Sequence, residues 1–134
     1  MMRFLSLLFL VAMVFFAVPV MAADDEAEAN LSAAYHELKP SLVVNLQGVG
    51  KYMRCDVQLM TRDDANLEDI QTHSPALRHE LLMLLGDQQG DTLKKPKGKE
   101  KLRLTALKAI QKVMQEQTGE AKVDDLFFTA FYVQ

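Results

Sequence analysis

Seventeen residues near the N-terminus decide how much of this chain is left to fold. Phe4 to Val20 is apolar except for Ser6 and Pro19, follows Arg3, and gives way abruptly to Asp24, Asp25, Glu26 and Glu28. A cation before such a run and acids after it hold the start of the chain on the cytoplasmic side of a membrane and send the remainder across. The run is apolar on every side, so it does not read as a helix of a water-soluble core. Two fates are open. Val20 and Ala22 stand three before and one before a signal-peptidase cut that would leave Ala23 at the new N-terminus, and this pattern tips the reading toward cleavage. The run also approaches the roughly 17 to 25 residues of a spanning helix, so the same segment would serve as an anchor. Residues 1–22 are therefore expected to be a signal peptide or N-terminal membrane anchor. Residues 23–34, rich in Ala, Asp, Glu and Asn, read as an acidic flexible spacer. Residues 35–134 have room for one compact domain and no more.

Within that domain, Pro40 limits the local backbone ahead of Leu42-Val43-Val44-Asn45-Leu46, a short β-rich run, and Gly48 and Gly50 punctuate a turn. Met53, Cys55, Val57 and Leu59 then alternate with Tyr52, Arg54, Asp56 and Gln58, the period-two pattern of a strand with one covered and one wet face. Leu67 to Thr72 reads as a short helical turn. A second helix is expected to begin with Ser74 as N-cap and Pro75 at its first position, bury Leu77, Leu81, Leu84 and Leu85, and end at Gly86 as a left-handed cap. Residues 87–98 are expected to be a polar loop with a short strand around Leu93. Lys99 to Gln117 is the longest helix, with a stripe of Leu102, Ala106, Leu107, Ile110, Val113 and Met114 and with Gly119 closing it. The aromatic run Leu126 to Val133 is a final strand that requires shelter in a sheet. This order indicates an α+β domain, a small and mostly antiparallel sheet with helices on one face.

The residues offer little chemistry. Setting the leader aside leaves 14 Lys and Arg against 18 Asp and Glu, a balance that does not point to nucleic acid. Hydrolytic nucleophile motifs, phosphate-cradling glycine loops, paired-cysteine metal sites and the two-histidine zinc helix are absent from the sequence. His73 and His79 stand six apart across a helix start and face different ways, which does not suit a metal. Cys55 is alone and reads as a small buried hydrophobe in a strand. Asp63 and Asp64 beside Arg62 read as turn residues. Lys94, Lys95, Lys97, Lys99 and Lys101 cluster around Pro96 and Gly98, a solvated loop first and a contact for anionic lipid or an acidic partner second. No catalytic residue, cofactor or metal is assigned, and an enzyme is not expected.

Tyr35-x-x-Leu38-x-Pro40 leading into Val43-Val44-Asn45-Leu46, and the terminal Phe128-Thr129-x-Phe131-x-Val133-Gln134, together resemble FliL, the flagellar basal body-associated family. The intervening Tyr52-Met53-x-Cys55-x-Val57, Pro75-x-Leu77-Arg78 with Leu84-Leu85, and Glu100-x-Leu102-Arg103 agree in order, so the resemblance covers residues 35–134. It implies a stomatin-like (SPFH-like) periplasmic domain at the inner membrane beside the flagellar basal body. It further implies a homo-oligomer or ring, association with stator proteins, support of torque in swimming or swarming, and no enzymatic activity. FliL-like proteins usually keep an uncleaved anchor after a longer basic tail, whereas here Met1-Met2-Arg3 is short and Val20-Met21-Ala22 suits cleavage. A free periplasmic binding module with no motor role is therefore the alternative. Exposed positions on the strand and the long helix, Arg54, Arg103 and Lys108, are the candidate partner contacts.

Overall fold

The computed structural model describes residues 32–49 and 51–134. The expected leader or anchor, the cut between Ala22 and Ala23, most of the spacer and Gly50 lie outside them. Three strands, β1 (Ala34–Asn45), β2 (Tyr52–Thr61) and β3 (Asp125–Val133), form one antiparallel sheet in the order β1-β2-β3. The β-rich residues predicted for β2 put it in the centre. Met53, Cys55, Val57 and Leu59 point to one face and are fully buried, while Arg54 and its alternates look the other way. Four helices follow between β2 and β3: α1 (Leu67–Thr72), α2 (Ser74–Gly86), α3 (Gly90–Leu93) and α4 (Pro96–Thr118).

The core is the seam between the sheet's covered face and two amphipathic stripes. Leu77, Leu81 and Leu85 of α2 and Leu102, Ala106, Ile110 and Met114 of α4 are buried there with Leu38, Leu42 and Leu126 of the outer strands. Each fully buried leucine contributes about 1.5–3 kcal/mol relative to an exposed one. The domain is thus α+β with an antiparallel sheet and its main helices packed on one face, as the element order indicates.

Several local expectations are corrected. The first strand begins at Ala34, because residues 34–38 pair with 57–61, and Pro40 lies at a register break between Leu38 and Leu42 within the strand. Ser74 is not a cap. α1 and α2 are nearly continuous through His73, so the Ser74 hydroxyl donates to the Ile70 carbonyl at 3.0 Å and lies 2.9 Å from His36 Nε2. Gly86 is not left-handed, since Asp87 caps α2 at φ −86°; Gly48 and Gly119 are the glycines with positive φ among those described.

The short strand around Leu93 is instead α3, which tucks Leu93 into the core. The long helix starts at Pro96, three residues early, since Pro suits a first helical position. It ends as expected at Gly119, φ 84°. Gly98 answers a packing demand: a Cβ there would sit 2.9 Å from the Thr92 carbonyl carbon and 3.1 Å from Thr92 Cγ2. Among the described residues the final strand is paired with β2 on one side only, and it forms an edge of the sheet.

Candidate functional site

Lysines cluster where α3 turns into α4. From Lys94 to Lys112 the chain carries eight Lys and Arg against Glu100 alone. α4 starts beside Val133 and Phe131, so Lys94, Lys95 and Lys99 lie at the Tyr52 end of the sheet, while Arg103, further along the helix, reaches Asp125 at the other end. Asp63, Asp64, Glu68, Asp69, Glu120, Asp124 and Asp125 gather at the other end, where Asp124 N–H donates to the Met60 carbonyl and β1 begins opposite Thr61.

The basic end contains a groove. Leu93, Pro96, Phe131 and Val133 line a cavity of about 400 Å³ together with Lys94, Lys95 and Lys99. A second cavity of about 210 Å³ continues it past Pro96 and Lys99 to Phe127, Phe128 and Arg103. Local sequence explains the shape: the α3–α4 corner closes over Gly98, and Phe128 meets Phe131 edge-on with centroids 5.1 Å apart. Lys99 Nζ lies 4.8 Å above the Phe131 ring, a cation–π contact that fixes its stem along the groove.

The sheet's uncovered face is the second surface. Tyr52 and Tyr132 pack at 6.1 Å between centroids, beside exposed Val43, while exposed Tyr35 lies toward the other end of the sheet. Ser41 donates its hydroxyl to Asp56, and Arg54 Nη2 donates to Ser41 Oγ at 3.4 Å. Cys55, next to these residues, points inward. Burial, and then the charge of Asp56, push its thiol up to about 12, so it is protonated and inert at neutral pH. Among the described residues no three His, Cys, Asp or Glu side chains converge as a metal site, and no helix is long and apolar enough to cross a membrane.

The three candidate contact residues are not brought together. Arg54 is exposed on the uncovered sheet face, and Lys108 is exposed on the outer side of α4 beside Leu104 and Lys101. Arg103 is only 22% exposed and is engaged within the domain. Its Nη1 donates to Asp125 Oδ1 at 2.5 Å and to the Leu126 carbonyl at 3.3 Å, and its Nη2 donates to Glu100 Oε1 at 2.7 Å. The hydrogen bond from Arg103 holds the Glu100 carboxyl below the usual range. Arg103 therefore ties α4 to the start of β3.

A second clamp was hidden in the sequence. Lys122, at φ 56°, reaches Asp69 Oδ2 at 2.9 Å and Glu120 Oε2 at 3.5 Å with 13% of its side chain exposed, which joins α1 to the approach to β3. Its hydrogen bond to Asp69 leads the causes that raise its pKa. Asp69 is remote from Lys122 in the chain, so no sequence signal marks that pair.

Known proteins place this fold in a biological context. Residues 35–134 match the family profile described as flagellar basal body-associated protein FliL. A flagellar protein FliL from Aquifex aeolicus (strain VF5) is 26% identical over 101 residues, a stretch that takes in 74% of this chain and 60% of that protein. The chain thus spans less than two thirds of that relative's length. With the profile covering nearly the whole described domain, from the first strand to the last residue, the chain belongs to the FliL family of flagellar basal body-associated proteins.

Proposed function

We propose that this chain is a non-catalytic accessory of the flagellar motor, working on the periplasmic side of the inner membrane at the basal body. There its domain contacts copies of itself and the stator units and supports torque in swimming or swarming. The observation that carries the reading is the family match over residues 35–134. The export pattern around Phe4 to Val20 supports the location. The helix-backed antiparallel sheet is compatible with a stomatin-type domain. Arg54 and Lys108 are the proposed contact positions, being exposed. Arg103 contributes by holding β3 against α4. The test is a clean deletion with filaments counted by electron microscopy and swimming speed recorded in dilute and viscous media. Normal filament numbers with speed lost under load are expected, and unchanged motility in both media would overturn the proposal.

The cleavage pattern at Ala22 and Ala23 favours a second reading, a free periplasmic binding module without a motor role. Fractionation with N-terminal sequencing separates the two. A soluble chain beginning at Ala23, in cells whose deletion leaves motility intact, selects the binding module.

A further inference from the structure

We propose that the groove between the outer edge of β3 and the first turns of α4 takes up an extended, acidic segment of a partner protein, which adds to the sheet as a fourth strand. The edge itself is the first observation. β3 pairs with β2 on one side, and among the described residues nothing pairs with the other. From Leu126 to Val133 it carries neither proline nor charge, two of the devices that blunt an edge strand, and its one irregularity is a bulge at Thr129 opposite Asp56 and Val57. The opposite edge is guarded: β1 contains Pro40 and the ion pair of Lys39 with Glu37.

The groove supplies the specificity that backbone pairing lacks. A strand laid along β3 sends alternate side chains toward α4, where the two linked cavities offer apolar floors of Leu93, Pro96, Phe131 and Phe128. Lys94, Lys95 and Lys99 line the same groove, and its one acid, Glu100, is already paired with Arg103. Apolar side chains between carboxylates match this wall. A two-fold pairing of β3 with itself does not, since it would bring the same lysines to both sides of the interface. A small inorganic anion leaves the apolar floor uncovered. The inference stands apart from the motor assignment, because it concerns the binding behaviour of the purified protein.

The experiment uses the full chain, purified in mild detergent, and a fluorescein-labelled peptide of alternating Glu and Val, about six residues long, an ordinary strand length. Anisotropy is expected to show saturable binding of one peptide per chain, weakening with salt. K95E/K99E removes two charge pairs and is expected to weaken binding roughly tenfold while leaving the circular dichroism unchanged. The same peptide N-methylated along one edge is expected not to bind, and amides of β3 should exchange more slowly with the parent peptide present. No binding, equal binding of the N-methylated peptide, or equal binding of a Lys-Val peptide overturns the proposal. So does sedimentation showing a dimer in which β3 amides are already protected without peptide.

Discussion

Replacing Gly98 with alanine, in the first turn of α4, is expected to destabilise the domain by about 1–3 kcal/mol, the cost typical of forcing an extra methyl into packed structure. In an ordinary helix the same change stabilises by about 0.5–1 kcal/mol, because alanine has less backbone freedom to lose. Space reverses the sign here. The added Cβ would run into the Thr92 carbonyl oxygen and stand 2.9 Å from the carbonyl carbon and 3.1 Å from Cγ2, against the 3.4–4 Å of normal contact. The α3–α4 corner must therefore open by about an ångström or more, and Leu93 in the core and the first turn of α4 move with it. For a domain near 100 residues the thermal midpoint falls by roughly 4–20 °C. The assay is thermal unfolding followed by far-ultraviolet circular dichroism, with two companions. Gly119→Ala has nothing within 4 Å but sits at φ 84°, so it is expected to lose about 1–2 kcal/mol by backbone strain alone. Adding Thr92→Ala to Gly98→Ala removes Cγ2 but not the carbonyl, so it restores little. A Gly98→Ala protein as stable as the parent would refute the packing account.

Three further outcomes follow from the same structure. Cys55, its thiol pushed up to about 12, is expected to resist thiol reagents at pH 8 in the folded chain and to react on denaturation, read by mass spectrometry. Because the folded pKa lies above the ordinary thiol value of 9.0, the folded state holds its proton longer, and stability falls as pH rises from about 9 to 12. His36 behaves in the opposite sense. Burial lowers its pKa below 6.5, so the unfolded chain binds the proton more readily, and stability is expected to fall as pH drops below that value; His36→Gln flattens this dependence in pH-resolved melting curves. Arg103→Glu would set a carboxylate against Glu100 and Asp125 and is expected to lower the melting temperature, whereas Arg54→Glu on the open face leaves it within a degree or so, which makes Arg54 the cleaner probe of motility.

The parts of the fold that the sequence announced are those whose signal is periodic. Alternation from Tyr52 to Leu59 marked the central strand and its buried side, and the leucine spacings of α2 and α4 marked the faces that cover it. The misses have a common physical origin, since they turn on what lies opposite a residue in space. Ser74 has the chemistry of a cap, but the end of α1 supplies a carbonyl that takes its hydroxyl. Gly86 looks like a stop, yet only a neighbour's position decides whether a glycine is needed for φ or for room, and Gly98 was the one needed for room. Pro40 read as a boundary because pairing across a register break cannot be seen in one strand alone. Among the candidate contacts, residue type favoured Arg103 as strongly as Arg54 and Lys108. Its engagement with Asp125, 22 residues away, became visible only once α4 was packed against β3.

The unequal edges of the sheet limit what can be built on it. Addition of strands is a chain-growth process: it continues when each new unit leaves behind an acceptor like the one it consumed. Here β1 lacks an amide hydrogen at Pro40 and breaks register beside it, so a copy that donated β1 to a neighbour's β3 would make an interrupted ladder. Polymerisation through this sheet is therefore discouraged at the donor rather than the acceptor, and an aromatic strand as adhesive as Leu126 to Val133 can stay available to one guest without seeding fibres.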